Sequence, residues 1–410
     1  MKKAKKWISI LLAGAMLTAL SACDKNPEET TETQDPALTA VTDEEGNPVT
    51  DEEGNMIPAE PVEEKVYKVG FIYNNEVSSG STNAVFENAR EQIERTLAIE
   101  TCYIENVLVS EVPTAVRELQ DDGCNIIVSA SAKFANSIAK EANASADTYY
   151  ISFGGDSSGP NYSSFGGELY QTANVCGIAA AYNSDANILG IVADPSSYNV
   201  YGIIDSYVLG AKEIMGAQTD VRLNWVWSDE EEKVEAAIDD LVTQGSDVIM
   251  CYTENDIAVK YCEEIGVKVV ANSCNLPEIA PNNYLTGFFF NSSTFIVDTV
   301  RAIKADNYVS SVHSGGIAAG TARLIDFSPA CREGTDTIAS KLYEYVKNGQ
   351  AHVFTGEIKN RNYDVMVEKG QQMNFSSIRE IDWLILGITS VSDFTSVIES
   401  PTPSDMVIKK

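Results

Sequence analysis

Val66-Tyr67-Lys68-Val69-Gly70-Phe71-Ile72-Tyr73 is a short apolar run followed by a polar loop, Asn74 to Asn83, and a helical pattern over about 82–98. The same unit recurs along the chain. Further strands are expected at 100–107, 124–129, 148–153, 187–193, 220–227, 247–251, 267–271 and 284–290, with helical patterns between most of them. Pro113 suits the first turn of one helix, where its missing N–H costs nothing. Asp229 is placed to cap a helix running through Gln244, with acids in its first turn. Short apolar strands alternating with amphipathic helices predict an α/β fold of parallel sheets flanked by helices on both faces. Ligands of such sheets bind at the carboxyl ends of strands, so function is sought in the loops that follow them.

Those loops are rich in amides, hydroxyls, carboxylates and rings. They include 74–83, Gly154-Gly155-Asp156-Ser157-Ser158-Gly159, Asp194-Pro195-Ser196-Ser197-Tyr198-Asn199 and Ser228-Asp229 after Trp225 and Trp227. Tyr252-Thr253-Glu254-Asn255-Asp256, Asn272-Ser273-Cys274-Asn275 and Asn291-Ser292-Ser293 complete the set. Any one loop could merely cap its own helix. Together they point to a shared cleft for a small polar solute, with rings covering its flat faces.

The N-terminus is a different material. Met1-Lys2-Lys3-Ala4-Lys5-Lys6 is a basic head, and an apolar stretch over 7–20 ends in Leu20-Ser21-Ala22-Cys23. The stretch is short for a membrane span and ends in small residues, as a secretory signal does. Leu20-Ser21-Ala22-Cys23 is similar to a bacterial lipobox, which implies a signal peptide over 1–22 and a lipid (palmitate among its chains) on Cys23. The expected location is the outer face of the cell membrane, held by the lipid. Residues 24–65 are acidic, rich in Thr and Pro and almost free of rings, and read as a solvated spacer. Its repeat, Thr42-Asp43-Glu44-Glu45-Gly46-Asn47 and Thr50-Asp51-Glu52-Glu53-Gly54-Asn55, lacks the alternating acids and closing Glu of a calcium loop.

The net charge of −31 argues against nucleic acid and against direct binding to an anionic membrane. Cys102, Cys124, Cys176, Cys251, Cys262, Cys274 and Cys331 are odd in number and lack a Cys-x-x-Cys pair, so buried free thiols are expected. His313 and His352 are too few for a His-rich zinc site, and no metal or cofactor is expected. Gly155-Asp156-Ser157-Ser158-Gly159 matches Gly-x-Ser-x-Gly after a strand. A nucleophile elbow needs a helix directly after it, and Pro160-Asn161 stands there instead. No catalytic residue is assigned and no enzyme is expected; a serine hydrolase built on Ser157 is the weakest alternative.

Several stretches, in order and spacing, resemble the Bmp (basic membrane protein) family of lipoproteins over roughly 66–394. They are Phe165-Gly166-Gly167-Glu168-Leu169-Tyr170 into Gly177-Ile178-Ala179-Ala180, Ile188-Leu189-Gly190-Ile191-Val192-Ala193, and 202–211. Trp227-Ser228-Asp229, Gln244-Gly245-Ser246-Asp247, Ala280-Pro281-Asn282-Asn283-Tyr284, Phe354-Thr355-Gly356-Glu357 and Ile381-Asp382-Trp383 continue the match. The resemblance implies a solute-binding subunit of an ABC importer with the type I periplasmic-binding fold: two Rossmann-like lobes joined by hinge crossovers. Lobe 1 would take 66–160 with roughly 287–330 returning, and lobe 2 161–286 with roughly 331–395; 396–410 is left as a tail. The implied partners are a nucleoside-like ligand and the permease and ATPase subunits, with the body a monomer. A sensor or surface-recognition lipoprotein of the same fold is the alternative.

The family's site carries over residue by residue only in part. Asn83 matches the Asn that contacts a purine base, Trp227 the aromatic that stacks on it, and Asp156 a carboxylate after the 148–153 strand. Ser79 stands where an acid is usual, Thr82 where an aromatic is, Asn275 where an Asp holds the sugar, and Phe290 where a Lys does. Losing those charges removes the stronger hydrogen bonds and favours a solute with more neutral polar or apolar surface than a typical purine nucleoside.

Overall fold

The alternation of apolar strands and amphipathic helices folds into two sheets, described in a computed structural model over residues 65–78, 80–227, 230–392 and 406–410. The expected signal segment, Cys23, the acidic spacer up to residue 64, Ser79 and the Asp229 cap lie outside the described residues. First come β1 (Lys68–Ile72), α1 (Ala84–Leu97), β2 (Glu100–Ile104), α2 (Val112–Asp121), β3 (Ile126–Ser129), α3 (Ala135–Ala144), β4 (Tyr149–Phe153) and β5 (Tyr162–Gly167). Next are α4 (Tyr170–Asn183), β6 (Ile188–Ala193), α5 (Val200–Met215), β7 (Asp220–Trp225), α6 (Glu231–Thr243) and β8 (Val248–Tyr252). Then follow α7 (Ile257–Ile265), β9 (Lys268–Asn272), α8 (Leu276–Ile279), β10 (Tyr284–Phe290), α9 (Ser293–Lys304), β11 (Val312–Gly315) and β12 (Ala322–Leu324). The chain ends with α10 (Thr335–Lys347), a small ribbon of β13 (Ile358–Lys359) and β14 (Val365–Val367), α11 (Phe375–Arg379) and β15 (Ile388–Val391).

The first sheet has the order β2-β1-β3-β4-β5-β11, with every pair parallel. The second has the order β15-β7-β6-β8-β9-β10-β12, parallel except at β10–β12. Strand order reverses at β1/β3 in one sheet and at β6/β8 in the other. Those switch points open a crevice at the carboxyl ends of the strands, and the two crevices face each other.

Sequence and structure agree on the fold class of helix-flanked parallel sheets. They differ at the crossovers. β5 stays in the first sheet, so the chain leaves lobe 1 after Gly167 and not at 160; β10 stays in the second sheet through Phe290, so the return comes after 290 and not at 286. α9 then packs on α1, β11 extends the first sheet, and β12 goes back to the second. β5 was not expected as a strand because Tyr162-Ser163-Ser164-Phe165-Gly166-Gly167 is short of β-branched residues. All six positions are buried, and its small residues admit neighbours that larger ones would exclude. The expected tail is in part an edge cover: Lys409 and Tyr103 exchange backbone hydrogen bonds at 2.8 Å, and Met406 and Ile408 pack on the lobe 1 core. This single bridge covers part of the β2 edge.

α4 and α5 hold lobe 2 together. α4 is buried on nearly every side, and it approaches α5 through two glycines. A Cβ on Gly177 would lie 1.9 Å from the Tyr207 carbonyl oxygen, and one on Gly210 1.9 Å from that of Asn174.

Candidate functional site

The loops after β1, β3, β6, β8 and β9 meet between the lobes, where the switch points put them. The cleft they line takes in about 610 Å³ of space between atoms, with open solvent at its mouth included.

One part of the lining is aromatic. Phe153, at the end of β4, lies 5.0 Å from Tyr198, 5.7 Å from Phe86 and 5.7 Å from Phe290, ring centre to ring centre. Tyr198 follows β6, so it belongs to lobe 2, yet it reaches the glycines of lobe 1. A Cβ on Gly166 would sit 2.5 Å from the Tyr198 hydroxyl, which explains why β5 carries glycine there. The Gly167 N–H donates to that hydroxyl at 3.3 Å, and Tyr252 donates to the Tyr198 carbonyl at 2.6 Å. The Arg379 guanidinium lies over the Tyr198 ring at 6.0 Å and donates to Gly154 at 3.1 Å.

A polar strap forms the other part. Glu254, at the end of β8, takes a 2.8 Å ion pair from Lys133 of lobe 1 and a hydrogen bond from the Asn74 amide. Its backbone carbonyl accepts from Thr82 N–H at 3.1 Å and Thr82 Oγ1 at 3.2 Å. Lys133 also faces Asp194 at 3.8 Å, and Ser78 donates to Asp256 at 3.1 Å. Burial pushes the Glu254 carboxyl up, against the pull of Lys133. These bonds all run from one lobe to the other, so the structure is closed. The lining also holds two uncommitted polar groups: the buried Ser197 hydroxyl has no hydrogen-bond partner among the described residues, and Asn272 stands half-buried at the end of β9.

The expected site residues divide. Phe290 lines the cleft. Asn83 is buried just behind the lining, donating to the Asn75 carbonyl at 3.1 Å while its side-chain oxygen has no partner. Asn275 follows the lining residues Asn272, Ser273 and Cys274. Trp227 is half-buried at the end of lobe 2 strand β7 and is not part of the lining; Ser79 is outside the described residues. Asp156 is exposed and lines a neighbouring hollow with His313, Arg379 and Glu380. Asn74, Ser197, Tyr198, Glu254 and Asn272 sit in loops that the sequence marks, though nothing in sequence singles them out within those loops. Lys133 lies after β3, in a loop without such marks. Ser157 is exposed, and strand β5, not a helix, follows its loop, so the Gly-x-Ser-x-Gly match has no elbow geometry.

Known proteins share this architecture. A purine-binding protein of Brucella abortus is 23% identical over 335 residues, covering 80% of this chain and 95% of that one. A protein of Haloferax volcanii, whose name assigns it glucose binding in an ABC transporter, is 21% identical over 299 residues, covering 72% and 76%. Among solved structures, an ABC transporter solute-binding protein from Aeropyrum pernix superposes with a TM-score of 0.62 at 13% identity, covering 77% of this chain and 96% of that one. A transcriptional activator of the comK gene from Bacillus halodurans reaches 0.58 at 19%, covering 69% and 99%, so the fold alone does not fix the role. The sequence model described as "ABC transporter substrate-binding protein PnrA-like" matches residues 66–347, and the chain therefore belongs to that Bmp family of ABC transporter substrate-binding proteins.

Proposed function

We propose that this protein captures an uncharged, flat solute, a purine nucleoside or free purine, between its lobes and hands it to an ABC permease at the outer face of the membrane. The observation that carries this reading is the buried Ser197 hydroxyl without a partner, set in a cleft walled by Phe153, Tyr198 and Phe290. A buried polar group without a partner is costly unless a ligand supplies one. Rings beside it suit a planar heterocycle.

Charge narrows the class. Glu254 is the one charged residue lining the cleft among the described residues, and Lys133 answers it. An anionic solute would enter without a spare cation to meet it, and burying an unpaired charge is expensive. Closure supplies the capture step: ligand contacts from both lobes add to the strap around Glu254, so the closed state is favoured when the cleft is filled. Lipidation at Cys23 and the acidic spacer through 65 would tether a monomeric body off the membrane, leaving it free to close and to reach permease and ATPase subunits.

The test is mass spectrometry of the small molecule released on denaturing the body, produced without residues 1–23. A purine nucleoside or purine base is expected. An anionic metabolite or a free hexose as the retained ligand would overturn the proposed class.

A further inference from the structure

Away from the cleft lining, Gly70 stands at the middle of β1. Cys102 of β2 is its register partner. A Cβ on Gly70 would lie 2.9 Å from Leu119 Cδ1 and 3.1 Å from Cys124 Sγ. The missing side chain lets two sulfurs meet over bare backbone: Cys102 Sγ and Cys124 Sγ are 3.3 Å apart. That is inside the roughly 3.5–4.0 Å of ordinary non-bonded contacts. Both thiols are unbridged in this structure, at 0% and 2% exposure.

The surroundings favour oxidation of this pair. The hydrogen bond from Cys124, and after it the nearby Lys68 ammonium, draw the Cys102 thiol down against its burial; the same hydrogen bond and burial push Cys124 up. One sulfur is thus the readier thiolate, the form that reacts. Cys124 is joined to the surface by the exposed turn at Gly123, so a small oxidant needs only a local opening. Asp122 brings a third donor, all three within 4.8 Å of one another. Its carboxylate is already held by Lys68 Nζ at 2.8 Å, and that ammonium would repel a metal cation.

We propose that Cys102 and Cys124 form an oxidisable dithiol that closes into a disulfide joining β2 to the turn between α2 and β3. With hydrogen peroxide as oxidant, the Cys102 thiolate attacks one peroxide oxygen. The O–O bond breaks, leaving a sulfenic acid on Cys102 and a hydroxide that takes up the thiol proton as water. Cys124 sulfur then attacks Cys102 sulfur; the S–O bond breaks, and the departing hydroxide leaves as a second water with the Cys124 proton. Two thiols are oxidised and one peroxide is reduced. The site lies apart from the solute cleft, and this inference stands whether or not the proposed ligand is right.

Peptide mapping of the folded, peroxide-treated protein tests it. The expected product is a Cys102–Cys124 cross-link that a reductant reverses, with a raised urea unfolding midpoint for the oxidised form because the link constrains the unfolded chain. Cys124→Ser should give neither the link nor the rise. The lobe 2 pair Cys251 and Cys262, 4.0 Å apart, should link more slowly. Recovery of both Cys102 and Cys124 as free thiols, after a dose that consumes an added small-molecule thiol, would overturn the proposal. So would faster linkage of Cys251 to Cys262.

Discussion

Ser197 poses a trade-off at the scale of single residues. Its buried hydroxyl has no hydrogen-bond partner among the described residues. Ser197→Ala should leave urea stability unchanged or raise it by up to about 1 kcal/mol, while weakening solute binding about tenfold, or roughly 1.4 kcal/mol. Loss of stability without loss of binding would mean the hydroxyl is structural. Asp205 offers a pH prediction. It is fully buried in α5, accepts from Ile385 N–H at 2.8 Å, and leaves its other oxygen unpartnered. Burial pushes its carboxyl well up, against the Ile385 hydrogen bond and the charge of Lys212. A raised folded pKa stabilises below the unfolded value, near 3.9, and that stability is lost as pH rises through the folded value. Relative to Asp205→Asn, which does not titrate, the wild type should therefore lose stability with rising pH, by about 1.4 kcal/mol per unit across that window. Parallel stability curves from pH 4 upward would contradict it. At this scale the sequence was least legible. Phe290 lines the cleft, whereas Trp227 and Asp156 stand outside its lining, and Glu254 gains its meaning only from Lys133, which is remote in sequence and close after folding.

Elements were far more legible, because a strand or helix declares itself by local periodicity. β1, β3, β4, β6, β8, β9 and β10 fall where apolar runs predict them, and Pro113 opens α2. β5 lacks that local signal: its Gly166 leaves room for the Tyr198 hydroxyl and its Gly167 for the Phe290 ring, both from the other lobe, and that demand is invisible locally. The α4–α5 crossing carries the same lesson. Gly177 and Gly210 each face a backbone carbonyl, where even a methyl group has no room. Gly177→Ala or Gly210→Ala should cost about 3 kcal/mol in urea unfolding. The pair should cost less than the sum, since one separation of the helices relieves both clashes. A cost under about 0.5 kcal/mol for either, the level of an ordinary surface change, would contradict so close a crossing.

Across the whole molecule, the facing switch points and the strap around Glu254 make closure the working motion. Glu254→Gln keeps an acceptor for the Asn74 amide and discards the charge that Lys133 meets. The ligand-free variant should open, giving a larger radius of gyration than wild type in small-angle scattering; equal radii would show that the ion pair does not hold the lobes together. The two-lobe plan was legible through family resemblance, whereas the crossover positions depended on which sheet β5 and β10 join, a tertiary choice that no local pattern encodes. Calorimetric titration of the body without residues 1–23 with purine nucleosides and bases, alongside Asn272→Ala, bears most directly on solute capture in the cleft. One-site heat from a neutral purine compound, weakened in the variant, is predicted. No heat from any of them, or the same isotherm in both proteins, would contradict the account.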